Sequence, residues 1–109
     1  MTPQYHEVAK LKELPNGSAM RVEVDGVEVA LVHTEGQVYA IDDVCSHAEV
    51  SLSEGEVQGC FIECWLHGSR FDLLTGAPTG LPATRPVAVY PVHVIDGRVH
   101  VDVAAAKEH

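Results

Sequence analysis

Cys45-Ser46-His47 and Cys64-Trp65-Leu66-His67 place two Cys-His pairs in two short stretches, with residues 48–63 between them, a gap of sixteen. Each pair offers one soft thiolate and one borderline imidazole, a mixture that suits iron in an iron–sulfur centre, or zinc. A thiol nucleophile would need only one such pair. No Gly-rich phosphate loop or serine elbow accompanies them, so ligation reads better than covalent catalysis. The acidic pairs Asp42-Asp43 and Glu54-x-Glu56 read as solvated turns rather than as an acid–base couple.

Outward from the two pairs the chain reads as all-β. Tyr5 to Ala9 is a first strand, and Leu14-Pro15-Asn16-Gly17-Ser18 is dense in turn formers. Met20 to Val24 alternates and meets Asp25-Gly26, a two-residue hairpin signal, before Val27 to His33 alternates again. Val27, Val29 and Leu31 should then share a face. Glu35-Gly36 makes the next turn, and Gln37 to Ile41 leads to the first Cys-His pair. After the second pair, Arg70-Phe71-Asp72 and Thr75-Gly76 predict a hairpin, and Val87 to Ile95 predicts one strand that pairs through Asp96-Gly97 with Arg98 to Val103. Helix is confined to one turn within Val8 to Leu14 and a frayed turn over Ala104 to Glu108, pieces too short to stand alone. Short strands with frequent turns indicate an antiparallel sandwich or small barrel.

At 109 residues the chain is a single domain, 1–109, with no room for a second domain holding a substrate pocket. Sixteen acidic against seven basic residues give a net charge of −9, which makes nucleic acid and anionic membrane poor partners and a basic protein face a good one. No apolar run approaches the roughly 20 residues of a membrane span, and Met1 to His6 lacks the regions of a signal peptide, so the expected location is the cytoplasm. Three cysteines leave no complete disulfide framework, which fits a reducing compartment. Cys60, in the apolar strand Gly59 to Glu63, reads as a buried free thiol rather than a ligand. His6, His33, His93, His100 and His109 read as surface or satisfied core residues.

The C-x-H and C-x-x-H spacing resembles the Rieske family, and more than the four ligands carries the likeness. Cys64-Trp65-Leu66-His67-Gly68-Ser69-Arg70-Phe71-Asp72 with Thr75-Gly76 looks like the family's second cluster loop, and Ser51-Leu52-Ser53-Glu54-Gly55 like the segment after the first. With the flanking strands, the resemblance spans roughly residues 4 to 103. It implies one [2Fe-2S] cluster, with Cys45 and Cys64 on the inner iron and His47 and His67 on the outer. It also implies a β base, approximately 1–43 and 84–103, with a cluster-binding subdomain, approximately 44–83, inserted in it. The family's respiratory members carry two further cysteines that crosslink these loops. Here those positions are Val50 and Leu66, so the chain looks like the soluble ferredoxin branch, in particular the ferredoxin components of bacterial aromatic-ring-hydroxylating dioxygenases.

Two thiolates and two neutral imidazoles leave an oxidised centre without net charge, which is easier to reduce than a four-thiolate centre. Rieske potentials span roughly −150 to +300 mV. In high-potential members a Ser and a Tyr donate toward the sulfurs. Ser69 matches the first, whereas Phe71 stands where the Tyr would be and cannot donate, so the expected potential lies in the lower part of the range. Loss of the second ring proton of His47 or His67 would add negative charge, so the potential should fall as pH rises above the oxidised-state imidazole pKa. Ala77-Pro78-Thr79-Gly80-Leu81-Pro82 resembles the proline loop that covers the cluster. Trp65, Leu66 and Pro82 could form an apolar rim for a partner, or Trp65 could pack inside. Trp65 stands where the family often has Pro, and Ala48 where Gly is frequent.

The resemblance implies a non-enzyme, a one-electron carrier from an NAD(P)H-dependent flavoprotein reductase to a terminal Rieske non-haem iron oxygenase. Two alternatives stay open on the sequence. One is a small Rieske subunit of an assimilatory nitrite reductase, or a carrier for another oxygenase. The other is a zinc-stabilised Cys2His2 binding module without redox function.

Overall fold

Three two-residue turns set the pairing of five of the strands. Asp25-Gly26, Glu35-Gly36 and Asp96-Gly97 all have positive φ at both positions, between 50° and 79°. That is the backbone of the type I′ turn, whose twist matches that of the strands it joins. A computed structural model describes residues 5–44, 51–64, 69–79 and 86–103.

The first two turns connect β2 (Ser18–Val24), β3 (Val27–Thr34) and β4 (Gln37–Asp42) in an antiparallel meander. β8 (Val89–Tyr90) completes this sheet by pairing with β4, in the order β2-β3-β4-β8. The third turn joins β9 (Val92–Ile95) to β10 (Arg98–Val101), and β1 (His6–Lys10) lies on the other side of β10. A third sheet, β5 (Val57–Gln58), β6 (Phe61–Glu63) and β7 (Arg70–Asp72), is also antiparallel.

Side-chain alternation in β3 shows how the layers stack. Val29 and Leu31, with Val27 beside them, pack into a core shared with Ala9, Leu14, Val99 and Val101. Ala30 and Val32 face the other way, toward Leu52, Ile62, Cys64, Phe71 and Leu73. Val29 to Val32 are all fully buried, so the four-stranded sheet is the middle layer between two apolar clusters. Each such Val or Leu contributes about 1.5–3 kcal/mol relative to an exposed position. The shared face expected of Val27, Val29 and Leu31 is therefore the face turned away from the third sheet.

The expected strand from Val87 to Ile95 is instead two strands in two sheets. Pro91 lies at the break and has no N–H to give to a ladder. Before it, Val89 and Tyr90 pair with Ile41 and Ala40; after it, Val92 to Ile95 pair with β10. The hairpin expected near Arg70 forms as an isolated bridge between Phe71 and Pro78, with the Asp72 carboxylate accepting the Leu74 N–H in the turn. The turn expected within Val8 to Leu14 is a 3-10 turn at Leu11–Glu13, while the one at 104–108 lies outside the described residues. Among the described residues no helix is long and apolar enough to cross a membrane.

Candidate metal centre

Both candidate ligand stretches hang from strand ends that are closed by hydrogen bonds. At the second, Glu63 pairs with Arg70, and the Cys64 N–H donates to the Ser69 carbonyl at 2.6 Å. Cys64 and Ser69 are thus held together at the ends of β6 and β7; Trp65 and His67 lie outside the described residues. Cys64 is fully buried, and its thiol is free. Ser69, five residues on, is also buried, and the Phe71 ring is fully buried in the apolar cluster to which Cys64 belongs.

At the first, Val44 and Ser51, the described residues on either side of 45–50, form a bridge. One residue earlier, Asp43 is held three ways. Its N–H donates to the Glu28 carbonyl (3.0 Å), its carbonyl accepts the Leu52 N–H (2.6 Å), and its Oδ1 accepts the Ser53 N–H (2.9 Å). Asp43 is fully buried, which corrects the expectation of a solvated Asp42-Asp43 turn. Period-two alternation carried the signal, because Asp43 follows Ile41 on the inward face. Asp42 is half-buried, and desolvation raises its pKa. A hydrogen bond from the Val44 N–H to Oδ1 (3.3 Å) opposes the rise, and the nearby charges of Asp43 and Glu28 add to it. Glu54 and Glu56 are exposed, as expected.

The two stretches are also tied to each other. The Glu63 N–H, one residue before Cys64, donates to the Glu56 carbonyl at 2.8 Å. Gly55 makes this approach possible: a Cβ there would lie 1.7 Å from the Glu63 carbonyl oxygen. Its φ is −84°, so the glycine answers a need for space rather than for an unusual torsion.

Cys60 departs from its expected strand position. It occupies a two-residue turn with Gly59 between β5 and β6, half-buried and free. Gly59 alone has positive φ there, at 58°, as at the first central position of a II′ turn. The turn is anchored to the middle sheet by the Thr34 hydroxyl, which donates to the Gly59 carbonyl at 2.8 Å. Burial and then a hydrogen bond with the Cys60 thiol push the Tyr39 phenol above its usual range.

Of the candidate ligands and tuning residues, Cys64, Ser69 and Phe71 are described; Cys45, His47, Trp65, His67 and Pro82 lie outside the described residues. Among the described residues no three potential ligands form a metal site. Those present fit an iron–sulfur centre: Cys64, a soft sulfur donor with a free, solvent-excluded thiol, ends a pinned strand. The ends adjoining residues 65–68 and 45–50 are held by the Cys64–Ser69 bond and the Val44–Ser51 bridge.

Comparison with known proteins adds four findings. The profile of the Rieske [2Fe-2S] domain family matches residues 4–91. The ferredoxin component of the naphthalene 1,2-dioxygenase system of Pseudomonas aeruginosa is 38% identical over 104 residues, covering 95% of this chain and all of that one. The 3-phenylpropionate/cinnamic acid dioxygenase ferredoxin subunit of Photorhabdus laumondii is 43% identical over 98 residues, 89% of this chain and 92% of its own. Among solved structures, a complex of reduced oxygenase and oxidised ferredoxin in carbazole 1,9a-dioxygenase contains a chain with TM-score 0.89 and 34% identity, covering 99% of this chain and 100% of that one.

Proposed function

The chain belongs to the Rieske [2Fe-2S] domain family, and on that premise we propose that it carries single electrons from an NAD(P)H-dependent flavoprotein reductase to the terminal non-haem iron oxygenase of an aromatic-ring-hydroxylating dioxygenase. The observation that carries this reading is the match, nearly end to end, with proteins named as ferredoxin components. A ferredoxin of this length and fold is also found in complex with its oxygenase. The cofactor is one [2Fe-2S] cluster, which supplies a reversible one-electron couple.

Cys45 and Cys64 are the thiolate ligands in this reading, and His47 and His67 the imidazole ligands. The buried Cys64 excludes water from its side of the site, and the bonds at Ser51, Leu52, Ser53 and Ser69 hold the ligand stretches in place. Preorganised loops of this kind limit the rearrangement that accompanies a change of charge. Ser69 is the donor that tunes the potential; Phe71, having none, leaves the potential in the lower part of the Rieske range. Trp65 and Pro82 form the apolar rim against which a partner docks. The division into a base, 1–43 and 84–103, and a cluster-bearing insertion, 44–83, belongs to the same reading, as does a cytoplasmic location.

Residues 42–72 carry seven acidic side chains and one basic one, two-thirds of the net charge of −9. A partner face that receives this region must be basic.

Reconstitution tests the proposal. Added to a purified dioxygenase reductase and its oxygenase, the protein should couple NAD(P)H oxidation to formation of a hydroxylated aromatic product. His67→Ala and Cys45→Ser should yield colourless, inactive protein, whereas Cys60→Ser should keep the cluster. A protein that holds its cluster but accepts electrons from no such reductase would refute the assignment of partners.

A further inference from the structure

Asp43 is an acidic residue that is fully buried. Removing a carboxylate from water is costly unless hydrogen bonds replace its solvation. Here Oδ1 accepts one bond, from the Ser53 N–H, and Oδ2, equally shielded, has no partner among the described residues. A residue needed only to fill the core would be better met by an apolar side chain. What this one does is join three separate stretches of chain. Its N–H continues the β3–β4 ladder to Glu28, its carbonyl takes the Leu52 N–H, and its side chain takes the Ser53 N–H. Leu52 and Ser53 lie just beyond residues 45–50, and Asp43 just before them.

We propose that Asp43 is the positioning residue of the first ligand loop: its side chain fixes Ser53, after residues 45–50, to the end of β4 before them, so that the two ends of the stretch containing Cys45 and His47 are held together. The proposal rests on the ligand assignment above. An acceptor held in one place, 2.9 Å from the Ser53 N–H, acts as a clamp beside the single Val44–Ser51 bridge among the described residues. The clamp acts in series with Gly55. Ser53 sits in the 3-10 turn Leu52–Glu54, and Gly55 passes that turn directly against Glu63, one residue before Cys64. The position of the first limb is thereby communicated to the second.

Three substitutions separate position from charge. Asp43→Asn keeps an acceptor in the same place without the charge; Asp43→Glu keeps the charge and moves the acceptor by a methylene; Asp43→Ala removes both. In holoprotein challenged with an iron chelator, loss of visible absorbance should stay within about twofold of the parent for Asn and accelerate at least tenfold for Glu and Ala. The reduced-state EPR line of Glu should broaden. Hydrogen exchange at the Ser53 amide of metal-free protein should speed up at least tenfold in Ala and Glu, with Leu31 and Ala40 in the middle sheet unchanged. Parental chelator resistance in Ala or Glu would overturn the proposal, and so would equal losses in Asn and Glu. Faster exchange at Leu31 to the same degree as at Ser53 would mark Asp43 as a general folding residue and also overturn it. A parent protein without iron and sulfide would refute the ligand assignment instead, and the Ser53 exchange would still decide whether Asp43 clamps the loop.

Discussion

Replacing Gly55 by alanine should separate the two ligand stretches. The added Cβ would sit 1.7 Å from the Glu63 oxygen, 2.9 Å from its carbonyl carbon and 3.2 Å from the Leu52 oxygen. A comfortable Cβ contact needs about 3.5 Å, so the 3-10 turn and β6 must part by roughly 1.5–2 Å. The neighbouring atoms are backbone, so no side chain can swing away. A movement of that size breaks the 2.8 Å bond from Glu63 N–H to Glu56 and strains the 2.9 Å bond from Gly55 N–H to Leu52. Overpacking costs about 1–3 kcal/mol, and each of the two bonds about 1 kcal/mol. The total, about 3–5 kcal/mol, is a large part of the stability of a domain this size. It corresponds to a fall in Tm of more than about 10 °C. The control is Gly97→Ala, where nothing lies within 4 Å but φ is +73°. That substitution should cost about 1–2 kcal/mol of torsional strain and leave iron content unchanged. Thermal unfolding and iron analysis of both variants provide the assay. A Gly55→Ala protein with parental Tm and full iron would refute the packing argument.

Three further outcomes are expected. Burial raises the Asp42 pKa in the folded state above its unfolded value, so its contribution to stability is present below the unfolded pKa and lost as pH rises through the folded one. Ionised Asp42 is therefore a burden at pH 7, and Asp42→Asn should stabilise the protein there by less than about 1 kcal/mol, with the gain shrinking toward pH 4 in urea titrations; a loss of stability at pH 7 would contradict this. Phe71→Tyr introduces a hydroxyl into a fully buried position in the cluster that contains Cys64, and a redox titration should find a higher midpoint potential than in the parent, since a donor near the cluster favours the added electron; a lower one would show that the hydroxyl bonds elsewhere. Reduction by the flavoprotein should slow several-fold as ionic strength rises from low values to about 0.5 M, because the Debye length shrinks below the distances over which the acidic region steers a partner; a salt-independent rate would mean that charge plays no part in docking.

The three hairpins were legible because their determinants are local. Asp25-Gly26, Glu35-Gly36 and Asp96-Gly97 each fix a hairpin within two residues, and the alternation on β3 needs only a neighbouring strand on each side to be read. Where a non-local partner decides, the sequence was ambiguous. Val87 to Ile95 is uniformly strand-like, and only the third dimension reveals that Pro91 divides it between two sheets. Cys60 looks like part of an apolar strand because its neighbours Phe61 and Ile62 are, yet Gly59 turns the chain there and Thr34, 25 residues away, anchors the turn. Asp43 was hidden by its composition: two adjacent acids suggest water, and the reason for burying one of them lies in the N–H of Ser53 on the far side of the ligand loop. Of the candidate site, spacing in the sequence proposes Cys45, His47, Cys64 and His67 as ligands, because metal coordination constrains residue type more tightly than packing does; of these the described residues include Cys64. The Gly55 approach to Glu63 was not, since a glycine at ordinary φ carries no local mark of the contact it permits.

The central claim is a cluster held by two thiolates and two imidazoles, and EPR of the purified protein before and after dithionite reduction, with iron, sulfide and zinc analysis of the same anaerobically prepared sample, tests it most directly. Two irons and two sulfides per chain should accompany a signal that appears only on reduction, with an average g below that of four-thiolate [2Fe-2S] proteins. An EPR-silent sample containing one zinc per chain, or a reduced signal with the average g of four-thiolate ligation, would contradict it.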